Sequence, residues 1–215
     1  MFEKFDSLFK KKTNPVSIIS RNELLGMKVA ILATDGFEQS ELFSPKKALE
    51  EAGATIHIVS LKPGRIRGWK ENNWGRSIRV DMTVREAWST EFDCLVLPGG
   101  VINPDRLRKD SEAVAFVMSF INKKLPIAAI CHGPQILIET GALKGKRMTS
   151  WSSIKTDLIN AGVEWEDQEV VIDNNLITSR SPGDIPVFNK TIVREFEKHL
   201  QYSGLPNTEG FVVTL

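Results

Sequence analysis

The sequence predicts an α/β fold: a mostly parallel sheet with helices on both faces. Two observations carry this. From Met27 onward, short apolar runs rich in β-branched residues alternate with segments whose apolar residues recur at helical spacing, which is the pattern of β-α-β units. Apolar residues make up 41% and charged residues 26% of the 215, a globular balance that excludes disordered, collagenous and fibrous chains.

The elements follow in order. Lys28 to Ala33 reads as the first strand. Ser40 to Ala52, with Leu42, Phe43, Ala48 and Leu49 on one side, reads as a helix stopped by Gly53. Thr55 to Leu61 is a second strand. Gly64 to Thr83, carrying Trp69 and Trp74, reads as an irregular excursion that ends in a strand at Ile78 to Thr83. Asp93 to Leu97 is the next strand, Ala113 to Ile121 a helix, Ile127 to Ile130 a strand, and Gln135 to Thr140 a helix. Glu169 to Ile172 and Leu176 to Ser179 flank Asp173-Asn174-Asn175, whose side chains tolerate positive φ, so this stretch predicts a hairpin. A helix from Asp184 to Leu200, with Pro186 in its first turn, closes the domain. The organisation expected is an N-terminal extension over 1–26, a domain over 27–201 and a tail over 202–215. In the extension Phe2, Phe5, Leu8 and Phe9 fall at helical spacing, which suggests a short amphipathic helix packed on the domain or on a second copy.

Composition narrows the function. With 28 Lys plus Arg against 27 Asp plus Glu there is no net field for nucleic acid or an anionic membrane. No apolar run reaches the ~18 residues of a membrane span, and the N-terminus lacks a signal peptide's apolar core. Two cysteines are too few for a disulfide framework, which points to thiols in a reducing, cytoplasmic compartment. The histidines, His57, His132 and His199, have no second ligand at metal spacing, so neither a metal nor a cofactor is expected.

The chemistry concentrates in Leu125 to Pro134. An apolar strand ends abruptly at Cys131, followed by His132, Gly133 and a helical stretch, the strand–turn–helix arrangement that lifts a nucleophile out of a sheet. Amides at a helix start stabilise a thiolate, so Cys131 is expected to have a lowered pKa. Cys94, inside an apolar strand, reads as core. Leu95-Val96-Leu97-Pro98-Gly99-Gly100 places glycines directly after a strand at the same sheet edge, where the amides of Gly100 and His132 are suited to an oxyanion hole. The first strand ends in Asp35-Gly36-Phe37-Glu38, and the Glu38 carboxyl is a candidate to hydrogen-bond the Cys131 sulfur; the alternative is a plain helix-start acid. Arg180 reads as a structural ion pair ahead of a substrate contact.

These segments, together with Ser179-Arg180-Ser181-Pro182-Gly183-Asp184, resemble the DJ-1/PfpI (ThiJ/PfpI) superfamily, most closely its PfpI-type intracellular cysteine peptidase and deglycase branch. The resemblance runs from Met27 to Leu200. It implies a flavodoxin-like three-layer sandwich, Cys131 as nucleophile, His132 as its base and Glu38 as the acid on the sulfur. It further implies that an acid from a neighbouring subunit orients the histidine, for which Asp105 is the candidate here, and that the chain forms a homo-oligomer, dimer or hexamer. The implied activity is a cysteine-dependent hydrolase or lyase acting at a carbonyl carbon, with a peptide or a small reactive carbonyl as substrate. Two other classes stand beside it: a non-catalytic redox-sensing or chaperone-like stress protein using the same cysteine, and a glutamine amidotransferase, in which His199 would partner Cys131.

Overall fold

The computed structural model of the chain describes residues 22–87 and 91–202; the expected amphipathic helix and most of the C-terminal tail lie outside the described residues. The elements are β1 (Lys28–Leu32), α1 (Gln39–Glu51), β2 (Thr55–Ser60), β3 (Arg65–Lys70), β4 (Asn73–Arg79), β5 (Met82–Thr83), β6 (Cys94–Leu97), α2 (Ile102–Arg108) and α3 (Ser111–Asn122). They continue as β7 (Ile127–Ile130), α4 (Gln135–Ile138), β8 (Arg147–Met148), α5 (Lys155–Asn160), β9 (Glu164–Trp165), β10 (Val170–Asp173), β11 (Leu176–Ser179) and α6 (Ile185–Tyr202).

The central sheet has the order β10-β11-β7-β6-β1-β2-β5, and every neighbouring pair is parallel except β10 with β11. Because side chains alternate along a strand, β1 sends Val29 and Ile31 to one face and Ala30 and Leu32 to the other. The first face packs against α1 and α6 through Leu42, Leu49, Phe188, Ile192 and Phe196. The second packs against α3, α4 and α5 through Val117, Phe120, Ile136 and Leu158. This is the three-layer α/β sandwich the sequence predicts. Leu24, just before Met27, is fully buried in the first core, and its N–H donates to Ala52 O at 2.8 Å.

Three parts differ from the sequence reading. The excursion over Gly64 to Thr83 is an antiparallel hairpin, β3 with β4, bulged between Arg67 and Trp69, followed by the short parallel edge strand β5. Its exposed alternation is too polar to signal a strand by hydrophobicity, and the turn rests on Glu71 at φ 55°. The segment after Gly100, to which the sequence reading assigns no element, is the helix α2. The helix expected over Gln135 to Thr140 is a single turn, α4.

From β1 the chain moves outward to β2 on one side, and from β6 outward to β7 on the other. The carboxyl ends of β1 and β6 therefore border a topological switch point, the place where open α/β sheets collect ligands.

Candidate active site

The chain leaves β7 at Ile130 and turns so sharply that Cys131 takes a left-handed φ of 62°, which costs a non-glycine residue about 1–2 kcal/mol. Surrounding bonds hold it there: Cys131 N–H donates to Ser179 O at 3.0 Å, and Gly133 N–H donates to Ile130 O at 2.8 Å. Gly133 has to be glycine, since a Cβ would lie 2.3 Å from Leu97 O. The elbow the sequence predicts is present, and it aims the Cys131 side chain at the ends of β1 and β6.

Three groups meet the sulfur. The His132 ring comes first, with Nδ1 at 3.3 Å from Sγ. The backbone N–H groups of Gly100 and His132 also point at the sulfur and favour its ionised form. The third is a carboxyl group, and here the structure corrects the sequence reading. Glu38 does not reach Cys131. It is the N-cap of α1, where Oε2 accepts from Glu41 N–H at 3.0 Å and from the Ser40 hydroxyl. The acid on the sulfur is Glu41, one helical turn further on and fully buried. A capping side chain has to fold back over the first turn of its helix, whereas a residue three positions into α1 projects from the buried face, in phase with Pro45 and Leu49.

Glu41 Oε2 accepts from Gly99 N–H at 2.9 Å, while Oε1 is buried with no nitrogen or oxygen partner among the described residues. What remains for it is the thiol, against which the carboxyl group rests. Burial, and then the charge of Glu38, push the Glu41 carboxyl up to about 8, so near neutral pH it keeps its proton and is a hydrogen-bond donor to sulfur. Gly99 leaves room for this contact, since a Cβ there would fall 2.6 Å from Glu41 Oε2 and 2.7 Å from Cys131 Cβ.

The lowered thiol pKa expected from a helix start is not found. Cys131 is 6% exposed, and burial, reinforced by the negative charge of Glu41 once that carboxyl has ionised, drives the thiol well above its ordinary value, outweighing the two amides. A one-turn α4 has little dipole to offer in return. The resting residue is a protonated thiol beside an imidazole. Burial also lowers His132, leaving the ring neutral and able to accept a proton.

On its outer side His132 meets residues that sequence reasoning missed. Nε2 lies 3.0 Å from Ser153 Oγ, and the Trp151 ring stacks on the imidazole with centroids 6.1 Å apart and an interplanar angle of 26°. Asp105 is exposed in the first turn of α2, and His132 Nε2 in this chain is met by the serine. Asn103 was missed as well. Fully buried, its Oδ1 accepts from Thr34 N–H at 2.7 Å, and its Nδ2 donates to Pro98 O at 2.9 Å and Gly99 O at 3.2 Å, fastening the glycine loop to the end of β1. No periodicity announces an asparagine that folds back on its own loop.

The other candidates resolve by position. Cys94 is fully buried against Met27, and desolvation raises its thiol far out of the reactive range. Arg180 donates to both carboxylate oxygens of Asp184, at 2.9 and 3.0 Å, and to Asp167 at 2.8 Å, which is the structural ion pair the sequence favours. His199 sits near the end of α6 within the field of Asp93, which precedes β6, so it belongs to the sheet edge opposite Cys131 and cannot partner that thiol. Among the described residues no three His, Cys, Asp or Glu side chains group to hold a metal, and no helix is long and apolar enough to cross a membrane. A cavity of about 560 Å³ opens between Lys124, Ile127, Leu143 and Asn174, at the strands' amino-terminal edge and away from the thiol.

Comparison with known proteins follows the same residues. The family model described as the DJ-1/PfpI family matches residues 27–195. Deglycase PfpI of Pyrococcus furiosus is 45% identical over 175 residues, which cover 81% of this chain and 100% of that one. Protein/nucleic acid deglycase 2 of Escherichia coli is 40% identical over 171 residues, covering 79% of this chain and 98% of that one. Among solved structures, a two-domain protein of Anabaena variabilis containing DJ-1/ThiJ/PfpI-like and ferritin-like domains superposes with a TM-score of 0.75 and 36% identity, covering 86% of this chain and 52% of that one.

Proposed function

The chain belongs to the DJ-1/PfpI family, and from that premise we propose that it is a cysteine-dependent enzyme acting at an aldehyde or ketone carbon, in the manner of a deglycase or glyoxalase rather than a peptidase. The observation that carries this choice is the state of the Cys131–His132 pair. The thiol is buried and protonated at rest, and the ring that would take its proton is held, among the described residues, by a hydroxyl and an aromatic stack. Amide cleavage requires a strongly held imidazolium that returns its proton to a leaving amine. Addition of a thiol to a reactive carbonyl expels nothing and needs less.

In the proposed step the Cys131 proton passes to His132 Nδ1 as sulfur bonds the carbonyl carbon. The carbonyl π electrons move onto oxygen, for which the Gly100 and His132 amides are the proposed donors, and the oxygen then takes the proton back from His132 to give a hemithioacetal and a neutral ring. The neutral Glu41 carboxyl stabilises negative charge on sulfur whenever it develops. Methylglyoxal is the probe. The wild-type protein should consume it and Cys131→Ala should not, while labelled casein stays uncut by both. Casein cleavage that depends on Cys131, without methylglyoxal turnover, would return the reading to a peptidase. Peroxide oxidation of Cys131 without turnover of either would return it to a redox sensor.

A further inference from the structure

We infer that Ser153 is the positioning residue of this site: its hydroxyl accepts a hydrogen bond from His132 Nε2–H, so the chain itself supplies the group that orients the imidazole. The inference rests on the reading of Cys131 and His132 as the reacting pair.

Geometry carries it. The two nitrogens of the ring are engaged in opposite directions, Nδ1 with Sγ at 3.3 Å and Nε2 with Ser153 Oγ at 3.0 Å. A neutral imidazole has one N–H and one lone pair. To accept the thiol proton, the lone pair must be on Nδ1, so the hydrogen must be on Nε2, and an acceptor beyond Nε2 favours that tautomer. Ser153 Oγ is that acceptor. When Nδ1 gains the proton the ring becomes a cation, and the bond to Ser153 becomes charge-assisted, stronger in the reacting state than at rest.

The placement of Ser153 is built into the fold. Trp151 N–H donates to Cys131 O at 3.0 Å, tying the strand of chain before Ser153 to the elbow itself. The Trp151 ring lies on the His132 ring, and Ile154, 3% exposed, anchors the other side in the core beneath α4 and α5. Between these fixed points the turn over Ser152–Ile154 presents the serine hydroxyl to Nε2. The titratable groups facing the ring are Cys131 directly and Glu41 through the sulfur; burial alone accounts for the lowering of His132. A hydroxyl in this place does for a single chain what a carboxylate from a neighbour would do, with weaker stabilisation of the cation, consistent with a reaction that needs only a modest base.

The test is made on the whole protein with Ser153→Ala, Ser153→Thr and Asp105→Asn. Alkylation of Cys131 by iodoacetamide is followed by intact mass across pH, and the His132 ring nitrogens are observed by 15N NMR. Ser153→Ala should slow alkylation at neutral pH about 10-fold, the loss expected of one hydrogen bond to a group that becomes charged. It should also move the acid limb of the profile to lower pH and mix the two tautomers. Ser153→Thr should restore the rate to within about 3-fold and the single tautomer. An unchanged limb and tautomer in Ser153→Ala overturns the inference, as does a larger fall in Asp105→Asn than in Ser153→Ala. Iodoacetamide needs no substrate site, so a Ser153 effect in a protein that turns over no methylglyoxal leaves this inference standing and removes only the proposed reaction.

Discussion

Replacing Glu41 by Gln tests the electrostatics of the site without disturbing its shape. The glutamine carbonyl can still accept from Gly99 N–H, and its amide can still donate to the sulfur, but it carries no charge at any pH. In the native protein the carboxyl group rises from 4.5 to about 8, first because it is buried and then because Glu38 is close. At about 1.4 kcal/mol for each pH unit, an ionised Glu41 costs the folded state roughly 5 kcal/mol relative to the unfolded chain. The sign follows from proton binding. Between pH 4.5 and about 8 the folded state holds a proton that the unfolded state has released, so stability falls as pH rises through this window and the loss is complete above about 8. Glu41→Gln has no such loss. Urea unfolding of both proteins at pH 5 and pH 9 should show the variant gaining up to about 5 kcal/mol on the wild type between the two, equivalent to about 10–20 °C in Tm for a domain of this size. Changes in other groups cancel in the comparison. A stability difference that stays flat within about 1 kcal/mol across the range would refute the assignment of a buried, protonated carboxyl beside Cys131.

Two further outcomes follow from the same geometry. Gly99→Ala should drive a Cβ to 2.6 Å from Glu41 Oε2 and 2.8 Å from His132 N, displacing the Glu41 carboxyl on one side of the thiol and the His132 backbone on the other; unfolding should show a loss of about 1–3 kcal/mol, and methylglyoxal turnover should fall with it. Since burial lowers His132, turnover should hold steady from neutral pH downward and decline only below 6.5, as the ring protonates and can no longer accept from sulfur; a rate profile with its acid limb above 6.5 would contradict a buried, neutral base.

Much of the molecule was legible in the chain of residues. Strands such as Ile127–Ile130 are uninterrupted apolar runs because both faces of a parallel sheet are covered, and burial on both faces leaves a plain signature. The elbow at Cys131 was legible for a similar reason, since an apolar strand that stops at Cys-His-Gly leaves few ways to turn. Glu41 was half legible: its phase with Leu49 placed it on the buried face of α1, but an acid in the first turn of a helix ordinarily caps or faces water, and Glu38 offered itself as the simpler choice.

What tertiary structure alone decided is the set of contacts between segments remote in sequence. Glu41, Gly99 and Cys131 converge because β1, β6 and β7 are neighbours that end at one edge. Ser153 reaches His132 only because Trp151 is tied back to the elbow. The ionisation of the thiol belongs to this class too. Local sequence argues for a lowered pKa through nearby amides, but how much water the fold removes, and which carboxyl it presses against the sulfur, are set by packing over the whole sheet edge. Desolvation there outweighs the amide dipoles, and the sign of the effect reverses.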